Sequence, residues 1–333
     1  MKLLNLLVLL TCLLLTFSTG CRARSSKKKH TNNHRKTSPL NISKTKKRPH
    51  RKKRWTKKFR AKNTKHIRQL YKRIAQDLQK GHPLVMTIHV ALCDNKYQGI
   101  VPVPGRLGNG DKPLQNLYWG AMYGFHGEFR RSKDWKRLSY RKKKGKILAQ
   151  AVFSKRFRPN SFWRKLGVKR PFTAYLIGKA YRGRFIRQTV TQFTKDVYQD
   201  NTEILTLPGG KQIRAGGQSH IIGFIGHNYL MDIKAAQYPF KKLRRKQQLQ
   251  KGVFILACRS FSYFSKYILN TKTHNLAMTR TLMAPESYTV RAMLNQFAKG
   301  SNLKGIWRSC VRAYAKYQRI RFRAAGTVFR SGS

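Results

Sequence analysis

Two apolar runs constrain this chain more than any other feature. Ile221-Ile222-Gly223-Phe224-Ile225-Gly226 leads into His227-Asn228, and Gly252-Val253-Phe254-Ile255-Leu256-Ala257 leads into Cys258-Arg259-Ser260. Both are short, rich in β-branched and aromatic residues, and bounded by turn formers, which predicts strands covered on both faces. The segment between them, Lys241 to Lys251, is basic and Gln-rich, with a helix-like composition. Strand, helix, strand makes a parallel crossover unit. In such sheets the chemistry collects at the carboxyl ends of the strands. His227 and Cys258 each stand just past a carboxyl end, so neighbouring strands would turn both toward one crevice.

The rest of the folded part follows the same alternation. His66 to Lys80 has apolar residues near helical spacing and is stopped by Gly81-His82-Pro83. Leu84 to Cys93 is the first buried strand, followed by Asp94-Asn95 and a Gly/Pro loop to Gly110. Leu117 to Phe125 is expected to begin the next helix, with Gly120 and Gly124 in close packing against the sheet. Lys146 to Phe153 is expected to be a helix within the basic, aromatic stretch Arg130 to Arg170. Trp135, Phe157, Phe162 and Trp163 there are either cover for the sheet or platforms for bases and sugars. Thr173 to Tyr181 is the second strand. Arg184 to Tyr198 is a helix with Ile186, Val190, Phe193 and Val197 on one face. Thr206 to Gly217 suggests a hairpin. Beyond the two central runs come a helix from Phe261 to Leu269, a strand from Leu276 to Thr281, a helix from Pro285 to Ala298, and one or two helices between Leu303 and Phe329. Strand-helix alternation on this scale predicts one α/β domain with a mostly parallel sheet and helices on both faces.

Charge sets the partners. The chain carries 73 Lys and Arg against 10 Asp and Glu, a formal net charge of +63. Nineteen of the basic residues lie between Arg22 and Lys62, with no acid among them. The remainder is still strongly cationic, so the field belongs to the whole particle and favours anionic lipid, wall polymer or nucleic acid. Adaptation of an entire proteome to an unusual milieu is the alternative reason for such a charge.

Residues 1–20 have one charge, Lys2, then a leucine-rich run, then Ser18-Thr19-Gly20. This pattern predicts an export signal, with a single-span anchor as the alternative. Ser18-Thr19-Gly20-Cys21 resembles the lipobox of bacterial lipoproteins, which implies lipidation of Cys21 and anchoring at the outer membrane or cell surface; without the lipid the product is secreted or periplasmic. Residues 21–63 are expected to be a disordered basic arm reaching an anionic membrane or envelope polymer. Residues 64–333 are expected to form the single α/β domain.

A cysteine nucleophile needs a base and a setting that favours thiolate. Cys258 precedes a helix, whose amide dipoles and neighbouring Arg259 favour negative sulfur. His227 is the candidate for proton transfer, and backbone amides at Cys258 and near Asn228 for an oxyanion. Asp94, Asn95, Asn228, Ser260 and Glu286 are candidate pocket residues, with turn chemistry the alternative for Asp94 and Asn95. Taken singly, Cys258 also reads as a buried small hydrophobe and His227 as a structural histidine. Cys93, Cys258 and Cys310 lack CxxC spacing, the acids are unpaired, and there is neither a Walker loop nor GxGxxG after a strand. No metal or cofactor is therefore expected. A Cys93–Cys310 disulfide stays open.

A buried strand ending in His, then one ending in Ala257-Cys258-Arg259-Ser260, resembles the caspase-like cysteine peptidases, the group of legumain, gingipain, separase and caspases. That family carries its His and Cys after two successive strands of a parallel sheet, in that chain order. It usually has Gly after the His, where this chain has Asn228. The resemblance implies a caspase-like three-layer sandwich, a His227/Cys258 dyad and a peptide or protein substrate. Gly226 to Asp232, with Met283-Ala284-Pro285-Glu286, also resembles uncharacterised bacterial exported proteins. Two function classes follow: a lipid-anchored cysteine peptidase, or a non-catalytic basic envelope protein binding an anionic polymer, with nucleic acid the weaker partner.

Overall fold

The computed structural model describes residues 67–268 and 272–330. The chain divides into units 1–59 and 60–333, and every described residue falls in the second. The signal, the basic arm and Cys21 lie outside the described residues, as does Leu269.

The strands in chain order are β1 (Leu84–Ala91), β2 (Lys136–Lys142), β3 (Ile147–Phe157), β4 (Phe172–Tyr181), β5 (Thr202–Thr206), β6 (Gln212–Gly216), β7 (Ile221–Ile225), β8 (Lys251–Leu256), β9 (Thr273–Thr279) and β10 (Phe329–Arg330). The helices are α1 (67–79), α2 (Phe125–Arg130), α3 (Ser161–Lys165), α4 (Ile186–Tyr198), α5 (Ser260–Ile268), α6 (Ser287–Ala298), α7 (Leu303–Gln318) and α8 (Phe322–Val328). Strands β5 and β6 make the expected hairpin. The other eight form one sheet in the order β10-β9-β8-β7-β1-β4-β3-β2. The pairs β4–β1, β1–β7, β7–β8 and β8–β9 are parallel, while both edges are antiparallel. By order of appearance the parallel strands run 2-1-3-4-5, so the winding reverses between β1 and β7. Such a reversal opens a crevice at the carboxyl ends.

The continuous apolar runs have the anticipated cause. Ile221, Ile225, Phe254 and Leu256 enter one core with α1, α6 and α7. Ile222, Phe224, Val253 and Ile255 enter the opposite core with α4 and α5. The fold is thus α/β with helices on both faces of a mostly parallel sheet. In α4, Ile186, Val190, Phe193 and Val197 are all buried, as their spacing requires. The Phe193 ring meets Phe224 and Phe264 at centroid distances of 5.8 and 6.4 Å. Each such buried side chain contributes about 1.5–3 kcal/mol.

Several local expectations fail for identifiable reasons. Lys146 to Phe153 is not a helix but most of β3. Ala149, Ala151 and Phe153 face one core while Val152 faces another, a period of two that the basic flanks obscured. Lys241 to Lys251 is not a helix either. It follows short 3₁₀ turns at Ala235–Gln237 and Pro239–Lys241 and then runs irregularly into β8. The amides of Gln248 and Leu249 donate to Asp200 at 2.6 and 3.1 Å, and the Lys246 amide donates to the Tyr198 carbonyl. Bonds to the end of α4 replace intrahelical ones, and like charges along the segment oppose a helix. The helix expected from Leu117 starts only at Phe125. Gly120 packs against the loop itself rather than the sheet: a Cβ there would overlap the Leu114 carbonyl. Trp135, Phe157 and Trp163 are buried, and Phe162 lies edge-on to Tyr71, so these rings are cover and not stacking platforms. The carboxyl-terminal stretch is two helices and a short strand. No disulfide joins Cys93 to Cys310.

Candidate active site

Strands β7 and β8 are neighbours in register, with Ile225 opposite Leu256. The Gly226 amide extends the ladder by donating to the Leu256 carbonyl at 3.2 Å. Continuing the register by two residues sets the backbone of His227 opposite that of Cys258. Asn228 joins the two loops. Its Nδ2 donates to the Cys258 carbonyl at 2.7 Å, and its Oδ1 accepts the Leu230 amide at 3.2 Å. Asn228 is fully buried, so these bonds hold the rim in a dry setting where their loss is costly.

His227 is buried, and its Nε2 lies 2.7 Å from Asp232 Oδ2. An ionised Asp232 accepts a proton-bearing Nε2, which leaves Nδ1 as the basic nitrogen. Cys258 is half-buried, unlike Cys93 and Cys310, and its thiol donates to the Met283 carbonyl at 3.7 Å. Burial pushes the Cys258 thiol up, and the backbone groups near it offset this only in part. The resting group is therefore a thiol, contrary to the thiolate expected from its place before α5. Arg259, exposed to solvent, sits at φ 50°, a left-handed conformation that costs a non-glycine residue energy. Its amide donates to the Thr281 carbonyl at 2.9 Å. No hydrogen bond joins His227 to Cys258 among the described residues. Among those residues the amides of His227, Asn228 and Cys258 also have no backbone acceptor elsewhere in the chain.

The other sequence candidates have internal partners. Asp94 Oδ1 accepts the amides of Lys96 and Tyr97 at 3.0 and 3.3 Å, and Gly110 and Gly183 press so closely on its carboxylate that a Cβ at either would overlap it. Asn95 exchanges two hydrogen bonds with the Val103 backbone. These are turn contacts, the alternative already open for both. Ser260 is fully buried and bonds the Ile255 carbonyl and Thr279, fastening α5 to β9. Glu286 lies on the loop after β9, three residues beyond Met283, and accepts from Gln318 Nε2 at 2.8 Å. Asp232 was not singled out from the sequence. Its signal was an acid five residues after a strand-end His in a chain with only ten acids.

Burial pushes Glu286 up to about 7. Its folded carboxyl is then protonated more readily than its unfolded one. The stability it contributes is full below about pH 4.5 and is lost as pH rises through about 7. Glu286→Gln should therefore be about 2 kcal/mol more stable than the wild type at pH 8 and equal to it at pH 4.5, allowing for partial solvent contact. Denaturant melts at both pH values check this. His220 and His126, lowered to about 4 chiefly by burial, act oppositely: their contribution is lost as pH falls from about 6.5 through about 4. They are common to both proteins and cancel in the difference.

No protein-family model, curated protein or solved structure matches the chain. Among the described residues, no group of three His, Cys, Asp or Glu could hold a metal ion. No described helix is long and apolar enough to cross a membrane.

Proposed function

We propose that the chain is a caspase-like cysteine hydrolase acting on peptide bonds. The observation that carries the reading is the pairing of β7 with β8, which puts His227 and Cys258 on adjacent carboxyl ends beside the winding reversal, with Asp232 on the imidazole. In this scheme the Cys258 sulfur attacks the substrate carbonyl as its proton passes to His227 Nδ1. The carbonyl oxygen becomes an oxyanion within reach of the rim amides. Collapse breaks the C–N bond, and the imidazolium returns the proton to the leaving amine. Water then attacks the thioester as His227 takes its proton; the C–S bond breaks, the acid product leaves, and the imidazolium returns the proton to the Cys258 sulfur. Asp232 holds the ring tautomer and balances the imidazolium. A thiol-reactive acyl probe should label the wild-type chain and fail to label Cys258→Ala; undiminished labelling would remove Cys258 from the mechanism.

A specific observation favours a second reading, an exported basic protein that binds an anionic envelope polymer. All ten acids lie among the described residues, and each has an internal partner. Eight sit within 4.0 Å of Arg, Lys or His. Asp94 and Glu286 take neutral donors. No acid is left to screen the surrounding cations, so the field reaches outward. Export, lipidation at Cys21 and anchoring belong to both readings and rest on the sequence of residues 1–21. Polymer binding that falls steeply from low to moderate salt and survives Cys258→Ala would favour this second reading.

A further inference from the structure

A cavity of about 640 Å³ lies between α4 and the β5–β6 hairpin, over the carboxyl end of β4. It shares no lining residue with the His227–Cys258 rim. Its two acids are already committed. Asp196 bonds His89 and Gln192, and Glu203 pairs with Lys179 at the cavity wall. Lys146, Arg187 and Lys195 also line the cavity, and among the described residues none of them has an acidic partner within 4.0 Å. Arg187 and Lys195 sit two helical turns apart on one face of α4. The wall thus combines three unneutralised cations with a concave shape.

The remaining lining is polar and partly unspent. Gln192 uses its amide nitrogen on Asp196 at 2.9 Å and keeps its oxygen as an acceptor. Gln188, one turn before it, is exposed, and its side-chain amide makes no hydrogen bond among the described residues. Tyr181 and Ile147 supply apolar wall. Cations suit an ester oxyanion, free amides suit hydroxyls, and a cavity of this size suits a sugar rather than a bare ion.

We infer that this cavity binds a sugar-sized, hydroxyl-rich molecule carrying a phosphate or sulfate ester. The site is independent of any chemistry at Cys258.

Calorimetric titration of the full chain at physiological ionic strength tests it, using glucose 6-phosphate, glucose 6-sulfate, inorganic phosphate and glucose as probes. One or both esters should bind saturably at one site per chain, more tightly than inorganic phosphate, while glucose should not bind. Tighter binding of one ester identifies the oxyanion. Arg187→Gln with Lys195→Gln should weaken ester binding at least about tenfold. Arg158→Gln with Arg323→Gln removes two exposed cations that do not line the cavity and should leave it unchanged. Equal losses in the two double variants, or binding without saturation, would reduce the cavity to part of a general cationic surface. Inorganic phosphate binding as tightly as the esters would overturn the hydroxyl-rich assignment.

Discussion

Asp232→Asn is expected to lower kcat/KM for peptide hydrolysis by on the order of 10³, with the fold unchanged. The carboxylate lies 2.7 Å from His227 Nε2. In the proposed mechanism it stabilises the tautomer that leaves Nδ1 basic, and the imidazolium formed when Nδ1 takes the thiol proton. Because burial raises the Cys258 thiol, little thiolate exists at neutral pH without that transfer. The carboxamide can accept from Nε2–H but supplies no charge, and it can equally donate to Nε2 and favour the wrong tautomer. The loss should fall on kcat more than on KM, since Asp232 acts through His227. Steady-state kinetics on a peptide substrate, with circular dichroism as the fold control, measure it. Cysteine-dependent turnover that survives unchanged would remove Asp232 from the mechanism and make its pairing with His227 structural.

Asp196→Ala should cost about 3–5 kcal/mol of stability. Asp196 is 2% exposed, and its carboxylate lies 2.9 Å from His89 Nε2 and 2.9 Å from Gln192 Nε2. Burial pushes this carboxyl up, but the hydrogen bond from His89 and the charge of the nearby Lys179 more than offset that and keep it ionised. Its removal leaves Nε2 of the fully buried His89 ring without its partner, although Nδ1 keeps the Tyr181 hydroxyl at 3.1 Å, and opens a void against α4. Against a typical stability of about 5–15 kcal/mol, that is a large fraction. Thermal melts should fall by about 10 °C. The double variant His89→Leu/Asp196→Leu should recover part of the loss, because it removes the ionic pair together while the Tyr181 hydroxyl and Gln192 each lose one bond. A single variant as stable as the wild type would mean that the pair contributes nothing net.

The legible parts of the fold were those where burial dictates composition. The runs ending at His227 and Cys258 could only be strands covered on both sides. The period of α4 could only face a core. The misread parts were those where partners distant in sequence override composition. β3 carries Lys155 and Arg156 and opens beside the basic run before Ile147, yet pairing with β2 and β4 makes it a strand. The crossover before β8 has helix-forming residues, yet Asp200 and Tyr198 hold its backbone in another shape. At the site, the sequence singled out His227 and Cys258, but it could not reveal that Asn228 ties their loops together or that Asp232 holds the imidazole.

From sequence alone come the α/β class, the parallel central strands, the His and Cys at strand ends and the overwhelming positive charge, because each depends on local pattern or simple counting. Tertiary structure alone decides the strand order, the burial that keeps Cys258 a thiol, the partner of each acid and the cationic cavity beside α4. Those depend on which distant residues share a small volume, where desolvation and charge pairing are determined by neighbours in space rather than along the chain.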